Sequence, residues 1–469
     1  MGWVRVRRPP LLQSKLLCVS LLYLLTTLPL ALYVSFSDPS SRCLPLLLLP
    51  STRSSSAATT LFHYPRDYGE HKHALPTSRR LCSDPAVFSD YKTVLEEING
   101  LCRNLSATAR AFPPLRYQNG RRDTFAGNLS TEERRSFFTP TADSAVEIPC
   151  GFFKDFPIAQ ADRLAMESCR GVVVASAILN DHDKIRQPKG LGSQTLKTAA
   201  CFFMFVDDRT HSVLASHGIL KDDDGHGATA STAVGAWRVV RLRQQQLPYE
   251  SPAMNGVVAK HLLHRLFPNA RFSVWVDGKM QLTVDPLLLV HSLLIGEGAD
   301  MAVARHPFNL HAMEEAIATA RWHKWGDVDG VRAQMETYCS NGLQPWSSSK
   351  LPYPSDVPDT AIIIRRHGSA SDLFSCLLFN ELEAFNPRDQ LAFAYVRDQM
   401  SPKLSINMFE VEVLEHIAVE YRHNLKRDNA GSGRGGGTKQ GVTRMASSRD
   451  IAGSSCEKYL MKMWGEPSE

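Results

Sequence analysis

From Arg271 to Val276 a run of β-formers leads into Asp277-Gly278-Lys279, with Asp285-Pro286 shortly after. In an open α/β sheet, ligands bind beyond the carboxyl ends of the strands. Placed there, Asp277 holds either a metal or a ribose hydroxyl. Gly278 lets the backbone approach closely and Lys279 neutralises phosphate. The alternative for the same residues is a strand running into a solvated turn.

Four more clusters sit at expected strand ends or in the turns beyond them. They are the stretch Asp181 to Pro188 with Asp183 and Lys184, the pair Asp207-Asp208, the triplet Arg305-His306-Pro307, and Arg388-Asp389-Gln390. If the sheet is parallel, successive strand ends converge on one edge and become neighbours in space. Each cluster also has a structural explanation. Asp207-Asp208 fits a helix N-cap, His306 a hydrogen-bonded structural histidine, and Asp389 a helix start at the positive dipole end. P-loop, GxSxG and HExxH motifs are absent, so the chemistries they carry lack their residues.

The elements that position these clusters read as alternating strands and helices. Gly171 to Ile178, Cys201 to Val206 and Ala236 to Val240 are apolar runs of buried-strand length. A one-faced helical pattern at Val257, Val258, Leu262, Leu263 and Leu266 follows and stops before Pro268. After the Arg271 strand come a helix over 285–294, a short strand over 301–304 and a helix over 312–325. A strand over 360–365 and a helix over 371–385 complete the series. Alternation of this kind predicts an α/β fold with a mostly parallel, doubly wound sheet.

Length and composition set the surroundings. The 469 residues are enough for one large core, and a net charge of +5 with no basic, aromatic-interleaved stripe argues against nucleic-acid binding. Arg5, Arg7, Arg8 and Lys15 precede an apolar run over 16–36. That length suits a bilayer-spanning helix, and basic residues before it keep the N-terminus cytosolic. A cleaved signal peptide is the competing reading of the run. The sequons at Asn104 and Asn128 fit a secretory lumen, where some of the ten cysteines would pair. The expected divisions are a cytosolic start over 1–15, an anchor over 16–36, a lumenal stem over 37–146, a catalytic domain over 147–427 and a low-complexity, disordered tail over 428–469.

Longer stretches carry a family resemblance. Ile148-Pro149-Cys150-Gly151-Phe152-Phe153, Val173 to Ile178, Asp183-Lys184-Ile185 with Gln187-Pro188, Cys201 to Asp207, and Lys260 through Lys279 are among them. Others are His306-Pro307, Glu314-Glu315-Ala316, Lys350-Leu351-Pro352, Ser355 to Pro358 and Arg388 to Leu391. From about Ile148 to Asn424 the chain resembles a plant glycosyltransferase-like family that includes the mucilage-related probable hexosyltransferases. The resemblance implies a Rossmann-like, nucleotide-sugar-binding glycosyltransferase fold of the GT-A type in a Golgi type II membrane protein. Such a protein moves a sugar from a nucleotide-sugar donor to a glycan or polysaccharide acceptor, in cell-wall or mucilage synthesis.

Within such an enzyme the strand-end placement gives Asp277 to catalysis, and the need for a carboxylate or His at the acceptor hydroxyl puts Asp389 and, more weakly, His306 on the acceptor side beside Arg388 and Gln390. Donor contacts fall to Asp183, Lys184, Asp207, Lys260, Gly278 and Lys279. In related transferases an Asp-x-Asp at the Asp277 position holds a divalent ion such as manganese. Here Lys279 stands at the second Asp, which predicts weaker metal dependence unless Asp207 and Asp208 restore a metal site; Asp277 and Asp207 are the candidate ligands. One family member carries the name alkaline ceramidase, so a lipid hydrolase is an alternative, as is a lumenal scaffold that kept the fold without the chemistry.

Overall fold

A computed structural model describes residues 88–103, 114–140, 146–220 and 233–423 apart from 323, with short pieces at 23–25, 27, 62–65, 68, 74–75, 455–456 and 458–460. The expected anchor lies almost entirely outside these residues. Among those described, no helix is long and apolar enough to cross a membrane. Residues 1–58 and 78–85 form a unit of their own, and everything below concerns the other unit, 59–77 and 86–469.

Its centre is a sheet of eight strands: β1 (Val172–Ile178), β2 (Ala200–Asp207), β3 (Ala233–Val234), β4 (Trp237–Leu242), β5 (Phe272–Val276), β6 (Met301–Arg305), β7 (Pro358–Arg366) and β8 (Ile406–Phe409). Their order is β8-β6-β7-β5-β1-β2-β4-β3. The pairs β5-β1, β1-β2, β2-β4 and β6-β8 are parallel. Strand β7 runs antiparallel between β5 and β6, and β3 antiparallel at the far edge.

The apolar runs are continuous because both faces of the sheet are covered. Val172 and Val174 point into one core and Val173 and Ala175 into the other. The helices α1 (Tyr91–Arg103), α2 (Asp208–Ser216) and Pro286–Val290 cover the first face; α3 (Pro252–His261), α4 (Ala312–Arg321), α5 (Ser369–Ala384) and α6 (Asp389–Gln399) cover the second. This is the expected mixed α/β fold with a central, mostly parallel sheet.

Two expected boundaries move. Helix α1 lies inside the stretch expected as stem, yet it buries Val94 and Ile98 in the core. Its Tyr91 hydroxyl bonds Thr195 at 2.9 Å, and Thr195 in turn donates to Asp285 at 2.7 Å. The ring lies where a Cβ on residue 192 would be, so glycine there lets the helix seat. Leu115–Gln118 pairs in parallel with Val146–Pro149, which brings more of the expected stem into the domain. In the expected tail, Cys456 is disulfide-bonded to Cys339, and Tyr459 and Leu460 are buried. Long-range docking orders segments whose local composition carries little pattern.

Candidate active site

Because β1, β2, β4, β5 and β6 run the same way, their carboxyl ends share one edge of the sheet. The clusters after β1, β2, β5 and β6 therefore meet there, and β7, running the other way, adds its starting residues Asp359 and Thr360 to the same edge.

Asp277 follows the last residue of β5. Its Oδ1 accepts the Trp275 indole N–H at 2.6 Å and lies 3.4 Å from Lys260 Nζ. Gly278 must be glycine for a steric reason, since a Cβ would lie 2.9 Å from the Ala177 carbonyl and 3.2 Å from Asp183 Oδ2. Asp183 is thus beside Gly278, and it bonds His423 Nδ1 at 3.0 Å. Lys279 reaches Glu420 at 2.8 Å. Burial draws the Lys279 ammonium down, but Asp277 and Glu420 outweigh that and hold its pKa above the ordinary lysine value. Glu420 belongs to a short strand, Ala418–Glu420, paired with Met280–Leu282, so the C-terminal segment crosses directly over this site.

Behind the edge is an interior network. Lys260, at the end of α3, contacts Asp389 Oδ2 at 2.9 Å and Thr360 Oγ1 at 3.1 Å. Thr360 donates to Asp389 Oδ1 at 2.9 Å, and His261 Nε2 lies 3.2 Å from Asp389 Oδ2. Arg365 donates to His261 Nδ1 at 3.2 Å. Burial lowers the His261 pKa to about 4, so the ring is neutral with its proton on Nε2, directed at Asp389. Burial alone would raise the Asp389 pKa, but Lys260 and His261 hold it far below the carboxylate range. Asp389 is therefore a buried, permanently charged anion with both oxygens engaged. It sits behind the strand ends, in contact with Lys260, Thr360 and His261.

His306 is also committed. Its Nδ1 accepts the backbone N–H groups of Phe308 and Asn309 at 3.2 and 2.9 Å. The proton consequently sits on Nε2, 3.8 Å from Glu315 Oε2. A neutral ring in that tautomer has its Nδ1 lone pair occupied by the two backbone N–H groups, which leaves Nε2–H as a donor and no free nitrogen to take a proton. Glu315, fully buried, gathers Arg388 at 2.6 Å, Lys324 at 3.1 Å and Asn309 at 2.7 Å. Gln390 is half-buried one residue past Asp389.

The two carboxylates expected to hold a metal, Asp277 and Asp207, are separated in the fold and otherwise engaged. Asp207 caps α2, with Oδ1 accepting Thr210 N–H at 2.9 Å and Oδ2 accepting Asn180 N–H at 2.7 Å. It stands two strands from Asp277, roughly 10 Å by strand spacing, so the two carboxylates cannot share one ion. Asp208 is paired with Arg241 at 2.6 Å. Asp277 itself is flanked by two ammonium groups. Among the described residues, the one set of three His, Cys, Asp or Glu groups close enough to hold an ion is Cys150, His264 and Cys376, and its two sulfurs are bonded to each other. Lys184 turns away as well, its Nζ 4.2 Å above the Tyr68 ring. Asp207 instead lines a cavity of about 370 Å³ with Leu179, Tyr249 and Asn255, between the ends of β1 and β2 and the loop before α3.

Asp359, Glu420 and His423 were not singled out from sequence. Asp359-Thr360 just before an apolar strand was the legible signal for the first. Glu420 and His423 arrive from far along the chain and have no local signature.

An α/β sheet with charged groups gathered at the carboxyl ends of its strands is the setting of a glycosyltransferase-like domain. Residues 114–423 match the family described as "TOD1/MUCI70, glycosyltransferase-like domain", and the chain belongs to that family. It is 53% identical over 97% of its length to "Alkaline ceramidase TOD1" of Arabidopsis thaliana, covering 98% of that protein. It is 37% identical to "Probable hexosyltransferase MUCI70" of the same plant, over 65% of this chain and 52% of that one. Among solved structures, mouse xyloside xylosyltransferase 1 aligns with 51% of this chain and 84% of its own, at 7% identity and a TM-score of 0.29. A likeness that distant fixes neither fold nor chemistry.

Proposed function

We propose that the chain is a GT-A-type hexosyltransferase that uses a nucleotide-sugar donor and a polysaccharide or glycan acceptor in cell-wall or mucilage synthesis. The observation that carries this reading is Asp277 at the end of β5, 3.4 Å from Lys260 and two residues before Lys279. A half-exposed carboxylate between two ammonium groups suits a donor sugar and its diphosphate, with lysine neutralising the phosphate charge directly. The 370 Å³ cavity beside Asp207 is of a size for the nucleoside. No step is assigned to a metal ion, because the carboxylates at the edge do not form a site for one.

The same proposal makes the protein a type II Golgi membrane protein anchored by residues 16–36. Support comes from three disulfides, Cys150–Cys376, Cys169–Cys201 and Cys339–Cys456, which belong to oxidising compartments. The exposed sequon residue Asn128 fits a glycan, while Asn104 lies outside the described residues.

The name of the 53%-identical relative favours a second reading, a ceramide hydrolase. Against it, a hydrolytic metal centre needs three protein ligands and an open position, and the one described triad has its cysteines joined. The test uses the purified full chain. A nucleotide sugar is expected to raise its melting temperature by mass action, and EDTA should leave the shift in place. Cleavage of ceramide with no response to any nucleotide sugar would replace the transferase with the hydrolase. Silence toward both would leave a scaffold.

A further inference from the structure

Sugar transfer needs a group to take the proton from the acceptor hydroxyl, and the two residues expected for it are committed elsewhere. Strand β7 supplies a third. Running antiparallel to both neighbours, it begins at the edge where β5 and β6 end. Against β6 it pairs at Pro358↔Arg305 and Asp359↔Ala304, and pairing resumes only at Ile363↔Val303. Four steps along β7 therefore match one along β6.

Bulges of this kind concentrate beside active sites and re-aim side chains. Here the bulge turns Thr360 inward to Asp389 and Lys260. It leaves Asp359 between two strand ends, where Asp277 N–H bonds the Ala361 carbonyl at 2.8 Å and His306 N–H bonds the Val357 carbonyl at 2.9 Å. Oδ1 of Asp359 accepts the Ala361 N–H at 3.1 Å, and Oδ2 has no hydrogen-bond partner among the described residues. Lys279, Asp277, Glu420 and His306 all lie close enough to act on its charge. Burial raises its pKa against the pull of Lys279, which makes it a stronger base than an ordinary carboxylate.

We infer that Asp359 is the carboxylate that takes the acceptor hydroxyl's proton during transfer, an assignment that rests on the transferase reading above. The acceptor oxygen bonds to the anomeric carbon. The bond from that carbon to the diphosphate oxygen breaks, its electron pair leaving on the diphosphate. The hydroxyl proton passes to Asp359 Oδ2. Asp277, at the end of the neighbouring strand and hydrogen-bonded to Ala361 two residues past Asp359, is left to the donor.

The experiment compares the full chain with its Asp359→Asn and Asp359→Ala variants. UDP-glucose, UDP-galactose and UDP-galacturonate serve as donors and a digest of plant cell-wall polysaccharide as acceptor. Donor binding is read by calorimetry, transfer by UDP release, and folding by thermal melting. Both variants should melt with the parent and bind donor within about threefold of it. Transfer should fall roughly 10²- to 10⁴-fold. Added formate, a small carboxylate able to occupy the vacated position, should restore the Ala variant and leave the parent unchanged. Transfer at the parental rate in Asp359→Asn overturns the assignment, as does loss of donor binding in that variant, or loss of transfer that formate does not relieve. If the parent binds no nucleotide sugar, the transferase reading falls first and this assignment with it; a parent that turns over alongside an equally active Asp359→Asn removes this assignment alone.

Discussion

Two groups of opposite charges meet near Asp277, one behind the strand end and one in front of it. Behind it, Lys260, Asp389, His261, Thr360 and Arg365 are buried, and Asp389 has both oxygens occupied. In front of it, Lys279 with Glu420 and Asp183 with His423 are single ion pairs, with the Glu420 and His423 side chains 40% and 47% exposed. In the interior group both Asp389 oxygens, Lys260, Thr360 and His261 are engaged with one another, and Arg365 Nε is the one buried donor left over. The outer group keeps spare donors and acceptors that a ligand can engage. Saturation suits a part that must hold shape, and incomplete pairing suits a part that must bind.

Breaking the interior group should produce the largest effect. Lys260→Met leaves Asp389 charged in a buried site with less compensation, and stability should fall by about 3–5 kcal/mol, read by urea denaturation. A loss below about 1 kcal/mol would mean the interior pairs are no more structural than the surface ones.

The strand-end carboxylate should behave in the opposite way. Asp277→Asn can still accept the Trp275 indole N–H, so stability should change by no more than about 1 kcal/mol. Turnover should drop at least about 100-fold, comparable to removing one electrostatic contact to a transition state. Full activity in that variant would remove Asp277 from the reaction.

Acidification separates the two groups without mutation. His261 has a folded pKa of about 4 against an ordinary value near 6.5. The unfolded chain therefore takes up a proton that the fold resists, and stability falls as the pH drops from about 6.5 towards 4. Asp389 is held low by Lys260 and His261 despite its burial, so its contribution is complete above about 3.9 and disappears as the pH falls further. A melting series across this range should slope downward with acid, and His261→Gln should flatten its upper part. An unchanged slope in that variant would assign the acid sensitivity to other groups, such as His367, also buried with a pKa lowered to about 3.

The smallest effect belongs to Glu420→Gln. Lys279 loses an exposed ion-pair partner worth about 0.2–1 kcal/mol and becomes freer to meet phosphate. Donor binding should tighten by up to about fivefold, with stability almost unchanged. Weaker binding would mean that Glu420 helps hold the donor.

Much of this arrangement could be read from the residues. The apolar runs at Val172 and Phe202 and the strand before Asp277 are intrinsic to the local sequence, and parallel pairing brings their ends together. The capping use of Asp207 was also legible, because Asp before a helical segment is a good N-cap. What the sequence conceals is direction and register. Asp359 lies on the strand that runs backwards, so a search for residues following strands passes it by, and a bulge has no compositional mark. The roles of Asp389 and His306 depend on atoms from Lys260 and from the backbone of Phe308 and Asn309, whose placement only the fold decides. Helix α1 has an amphipathic pattern, but its seat beside Gly192 is about a hundred residues away in sequence.

The Cys339–Cys456 bond closes a covalent ring of chain, and the strand Ala418–Glu420 that crosses the candidate site lies inside it. A protease that cuts once between residues 424 and 455 would make two polypeptides and still leave one molecule. On a gel the severed protein would run as a single species until a thiol reductant was added, and then release a small C-terminal fragment. A cut close to residue 424 would leave Glu420 and His423 near a new carboxyl terminus, so proteolytic history would alter the site without changing the apparent mass under non-reducing conditions.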